Sequence, residues 1–135
     1  MGNTTVECTR YDTLYHRETV PLPDAIKIDV QGFEYEVLLG FGDLLDQCLG
    51  IELESHFYPL YRNQKLRYEV IDLLSSFDLV LRRLDANKMH HFDGDLIEVD
   101  AYFTKRRKAV RNLSPIQQSK FDLITKVWEL PVYDL

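Results

Sequence analysis

The chain has 135 residues, 45% of them hydrophobic and 12% aromatic, and carries a formal net charge of −6. That size suits one domain burying roughly two-thirds of its unfolded surface, and the acidic balance argues against a nucleic-acid partner, because phosphate binding rests on clustered Lys and Arg. No apolar run approaches the roughly 18–20 residues needed to span a bilayer, and Met1 is not followed by a charged and then an apolar stretch, so a cytoplasmic protein with no membrane partner is expected.

Cys8 and Cys48 are the only cysteines. They stand in no metal or redox spacing, so free thiols are expected, without a disulfide framework or a structural zinc site. In chain order, a short strand-like stretch around Val6 and Cys8 comes first, followed by a turn rich in polar residues. Pro21 and Pro23 then lead into a strand over residues 26–30. After Gln31 and Gly32, residues 33–39 read as a helix, with Glu34 and Glu36 in its early turns, where the positive end of the macrodipole favours them. Gly40 is placed to end it. Residues 49–54 form the next strand, and after a tyrosine-rich loop Leu66, Val70, Leu73, Leu74 and Phe77 repeat at the spacing of an amphipathic helix.

Residues 78–84 and 96–104 read as an antiparallel hairpin joined by a loop containing Asp93-Gly94. In its second strand Ile97, Val99, Ala101 and Phe103 share one face by period-two alternation, which marks that face as core. The basic run Lys105, Arg106, Arg107, Lys108 and Arg111 reads as a solvated rim. Ser114-Pro115 with Gln117 has the pattern of a helix start, and Ile116, Leu123, Ile124, Val127 and Trp128 make one apolar stripe that needs something to cover. The order of elements fits an α/β sheet with parallel strands and one antiparallel strand at its far side.

Ligands of open α/β sheets sit outside the carboxyl ends of the parallel strands, so polar residues there carry most weight. Strand 26–30 would be covered on both faces, and an ionised carboxylate buried without a partner costs several kcal/mol. Asp29 therefore faces a polar crevice or is paired; alternatively it caps the helix beginning near Phe33, and site and cap are compatible. The next strand end supplies Glu52, Glu54 and His56 on one face. Facing Asp29, these groups could bind a divalent metal or furnish a general base. For Glu52, an ion pair with Lys27 on the adjacent strand is the preferred reading. For Glu54 and His56 the choice stays open, His56 being alternatively a solvated loop residue. No metal is assigned. Tyr58, Tyr61 and Arg62 lie in the following loop, where a substrate wall would stand, although such aromatics more often pack on the next helix. His90 and His91 read as hairpin surface.

Three segments together resemble the later part of the FkbM-type methyltransferase family: IKIDVQGFEYEVLLG at 26–40, IELESHFYPLY at 51–61 and LIEVDAYFTKR at 96–106. The family's hallmark is matched by Lys27, Ile28, Asp29, Val30, Gln31, Gly32 and Glu34, and Tyr61 and Asp100 are also similar to family members. The resemblance covers roughly residues 4–106. It implies a partial Rossmann-like class I methyltransferase sheet, its fourth to seventh strands, mostly parallel with an antiparallel hairpin at the end, over residues 1–112, with an appended C-terminal helix and tail over 113–135. It implies methyl transfer from S-adenosylmethionine to a hydroxyl of a small molecule or sugar. Asp29, Glu54 and His56 would be catalytic, Asp29 and Gln31 cofactor-binding, and Tyr58, Tyr61 and Arg62 substrate-binding. The family's Gly-rich turn would precede this segment, and no Gly-x-Gly turn follows a strand here. A homo-oligomer or a missing N-terminal half is therefore expected as partner. A non-catalytic partner-binding module is the competing reading.

Overall fold

The computed structural model describes residues 2–135. Four strands form one mixed sheet in the order β1-β2-β4-β3, from β1 (Ala25–Ile28), β2 (Gly50–His56), β3 (Leu79–Phe92) and β4 (Asp95–Lys105). β1 and β2 are parallel, whereas β4 runs antiparallel to both β2 and β3. The fold class is thus α/β. The antiparallel strand lies inside the sheet and not at its far side, because β3 takes the edge and β4 returns into the gap beside β2. Burial explains the choice: seven residues of β4, Ile97, Val99 and 101–105, are buried, whereas β3 is exposed from Ala86 onward.

Alternation divides the sheet into two unlike faces. Ile26 and Ile28 of β1, Ile51 and Leu53 of β2, and Ala101 and Phe103 of β4 point to one face and are all buried. That face is covered by α1 (Tyr11–His16), α2 (Glu34–Phe41) and α3 (Arg67–Ser75), with Leu38 and Leu74 fully enclosed. Lys27, Glu52, Glu54, His56, Glu98, Asp100 and Tyr102 point to the other. β1 is therefore not covered on both faces: Ala25 and Lys27 are exposed.

Residues 2–10 form no strand, since Val6 and Cys8 are exposed with no ladder partner. The polar stretch after them instead opens α1, whose Tyr11 stacks on Phe41 at 4.5 Å between ring centroids. Gly40 does not end α2. It lies inside the helix, where its missing Cβ leaves the backbone of Arg10 and Tyr11 room to cross at 4.0 Å, and the helix stops at Gly42, with φ +52°. The hairpin is longer than the alternation indicated, and its turn at Asp93-Gly94 has φ of +51° and +87°, the combination that matches strand twist.

After the short α4 (Arg107–Val110), α5 (Pro115–Val127) begins with the expected box, in which the Ser114 hydroxyl accepts from the Gln117 amide at 3.3 Å and the Gln117 side chain accepts from the Ser114 amide at 3.2 Å. Its seating differs from the expected stripe. Phe121 and Thr125 are buried and Ile124 and Trp128 partly so, whereas Ile116, Leu123 and Val127 are exposed. The Trp128 indole lies against Gly50 and edge-on to Tyr102 at 5.5 Å, so α5 covers the amino end of β2 on the polar face. Below it Leu49, Val110 and Phe121 form a second small core with Tyr133 of the tail.

The basic run is not uniformly a rim. Arg107, Lys108 and Arg111 are exposed, but Lys105 is 4% exposed and its ammonium donates to the carbonyls of Phe77 and Leu45. Burial holds its pKa below the ordinary lysine value. No helix among the described residues is long and apolar enough to cross a membrane.

Candidate functional site

With α5 over the amino end of β2, the carboxyl ends of β1 and β2 remain open on the polar face. There the antiparallel register of β2 and β4 sets Glu54 opposite Asp100 and His56 opposite Glu98. Residues directly opposed on one face stand about 5 Å apart at Cβ, within reach of one another's polar atoms. A cleft of about 220 Å³ follows, lined among others by Asp29, Glu54, Lys88, His90 and Asp100.

His56 is the centre of the arrangement. It is the last residue of β2 and 3% exposed, not a solvated loop residue. Its Nε2 lies 2.8 Å from Glu98 Oε2, close but not aligned as a hydrogen bond, and its Nδ1 lies 3.8 Å from Glu34 Oε2. Glu34 is itself 3% exposed, and its other oxygen accepts from the Gly32 amide at 3.2 Å. The second oxygen of Glu98 meets His90 Nδ1 at 2.6 Å, a contact that raises the pKa of that exposed imidazole. Glu54 completes the group. Burial, reinforced by the charges of Glu98, Asp29, Glu34 and Asp100, pushes its carboxyl up to about 7.

Two cations balance part of this charge. Lys27 Nζ lies 3.6 Å from Glu52, the expected pair, and Lys88 Nζ lies 3.1 Å from Asp100 and 4.0 Å from Glu52. Glu52 is thereby accounted for as a paired, largely buried carboxylate, while Glu54 keeps one buried oxygen without a hydrogen bond to any described residue.

The remaining expected residues divide. Asp29 follows the last residue of β1, is exposed and borders the cleft, so it reaches the polar crevice without being buried. The cap reading fails: Glu34, and not Asp29, takes the free amide in the turn before α2. Gln31 is exposed, with φ +54°, ahead of Gly32 at φ +95°. A Cβ on Gly32 would stand 2.4 Å from the ring of Tyr61, so the loop after β2 folds back onto the turn after β1. Gln64 fixes that loop by accepting from the Leu60 and Tyr61 amides at 2.8 and 3.2 Å. Tyr58 and Arg62 are exposed on the same loop. Glu34, Glu98 and His90 were not marked as site residues by sequence reasoning. For Glu98 the available signal was the alternation that makes Ile97 and Val99 core and so turns it toward the face of His56.

The family model for the methyltransferase FkbM domain matches residues 1–92. No curated protein and no solved structure matches the chain. The match spans α1 to β3, including the 26–40 motif, the turn that Tyr61 covers and the strand that ends in His56, and on that extent the chain belongs to the FkbM methyltransferase family.

Proposed function

We propose that this chain forms the acceptor side of an S-adenosylmethionine-dependent methyltransferase acting on a hydroxyl of a small molecule or sugar, its four strands being the later strands of a Rossmann-like sheet. The observation that carries this reading is the gathering of Asp29, Glu54 and His56 at the carboxyl ends of two parallel strands, within a chain of a methyltransferase family.

The residues present do not by themselves fit the whole cofactor. The cleft of about 220 Å³ falls below the roughly 300–1,000 Å³ usual for ligand sites, and no Gly-x-Gly turn follows a strand among the described residues. We therefore place the Gly-rich turn and the ribose-gripping acid on a segment or chain other than these residues. Asp29 and Gln31 would border the cofactor from this side, Glu54 and His56 would face the acceptor, and Tyr58, Tyr61 and Arg62 would wall it. Their contribution is orientation, which supplies a large share of rate enhancement in two-substrate reactions. A second reading, a partner-binding module without catalysis, is favoured by the exposed row Ile116, Leu123 and Val127 on α5.

Asp29→Ala separates the two. Asp29 is exposed, so the substitution should leave the melting temperature nearly unchanged. Formation of S-adenosylhomocysteine by the full-length or reconstituted enzyme, with a panel of hydroxylated acceptors, should fall about 100-fold or more. Wild-type turnover in the variant would overturn the role given to Asp29.

A further inference from the structure

We infer that Glu54, His56 and Glu98 bind one divalent first-row transition cation of the Mn²⁺ type, with water filling the remaining positions. One imidazole nitrogen and two carboxylate oxygens from these residues lie within 4.8 Å of one another. Ligands bonded to one ion at about 2.1 Å stand roughly 3 Å apart when adjacent and 4.2 Å when opposed, so a shift of about half an ångström closes the set. The 2.8 Å approach of His56 Nε2 to Glu98 Oε2, out of line for a hydrogen bond, is the separation of two adjacent ligands.

The cluster is more than a group of acids. His56 is 98% buried at its side chain, and its Nε2 stands 2.8 Å from Glu98 Oε2 without a hydrogen bond to any described residue. A buried polar atom without a hydrogen bond calls for a physical account, and a bound ion or water is one that fits here. Behind the imidazole, Glu34 stands at Nδ1, as outer carboxylates do when they orient a metal-bound histidine. Behind Glu98, His90 holds the second oxygen. Of the three ligands, Glu54 lines the cleft bordered by Asp29 and Lys88, which is the side from which an ion and its waters would reach the set. Imidazole with two carboxylates suits Mn²⁺ better than Mg²⁺, which prefers an all-oxygen shell. This set differs from the one the sequence offered, because Glu52 is paired with Lys27 and Glu98 takes its place. Resting on the methyl-transfer reading, the open positions would take the acceptor hydroxyl.

The test is titration of the metal-free chain with MnCl₂, following the electron paramagnetic resonance signal of free Mn²⁺. One ion per chain should bind, and the melting temperature should rise with MnCl₂. Glu98→Gln and His56→Gln, checked for folding by circular dichroism, should each weaken binding at least about ten-fold, while Asp122→Asn on α5 should not. A measurement on the wild-type chain alone guards against misfolded variants: Mn²⁺ should broaden the imidazole proton resonances of His56 and His90 before those of His16. Absence of binding at millimolar MnCl₂, equal binding by wild type and both variants, or broadening of all histidines together would overturn the site. The titration holds neither methyl donor nor acceptor, so its failure leaves the methyl-transfer reading standing, and failure of turnover leaves the ion site standing.

Discussion

Gly50→Ala puts the seating of α5 on the sheet to a quantitative test. A Cβ at Gly50 would lie 2.6 Å from Trp128 Cζ3, 2.9 Å from Cη2 and 3.2 Å from Ile124 Cγ2. Ordinary carbon contacts are about 3.5–4.0 Å, so the indole must retreat by about 1 Å. It is not free to do so, being held edge-on against the buried ring of Tyr102. Overpacking of this kind costs about 1–3 kcal/mol. Without α5 in place the sign would reverse, because alanine in a strand interior is favoured over glycine by roughly 0.5–1 kcal/mol. We expect a net destabilisation near 1–2 kcal/mol, a fall in melting temperature of about 3–10 °C for a domain of this length. Circular dichroism and the emission of the single tryptophan should report it together. In a Trp128→Ala background the penalty should vanish or change sign, giving a coupling of about 1–3 kcal/mol. A Gly50→Ala protein as stable as wild type, or more stable, refutes the seating.

Two further outcomes follow from burial and pairing. Cys8 is exposed and Cys48 is buried with its thiol pushed up to about 11 by desolvation, so a disulfide reagent at pH 8 should titrate one thiol rapidly in the native protein and two in denaturant, and two fast native thiols would contradict the packing. Among the described residues β1 pairs only with β2, leaving its outer edge without a ladder partner, and Lys27 is its one charged residue, so sedimentation should reveal self-association or capture of a second chain, against which a strictly monomeric species at all concentrations would count.

Much of the architecture was legible in local pattern. Alternation marked Ile97, Val99, Ala101 and Phe103 as core, Asp93-Gly94 marked the hairpin turn, and Ser114 with Gln117 marked the start of α5, each because the signal lies within one element and a few residues. The family, too, was readable from the motif at 26–40. What tertiary structure decided is which side chains meet. α5 carries apolar residues on two sides, and the side of Phe121 and Trp128 was chosen because Gly50 leaves a hollow for the indole. Lys105 sits in a basic run, yet it is buried with its ammonium donating to the backbone carbonyls of Leu45 and Phe77. His56 finds Glu34 and Glu98 through a strand register between residues far apart in the chain. Periodicity reports the face a residue occupies. It does not report the partner across the sheet, because a two-residue slip of register keeps every side chain on its face while changing the neighbour it meets.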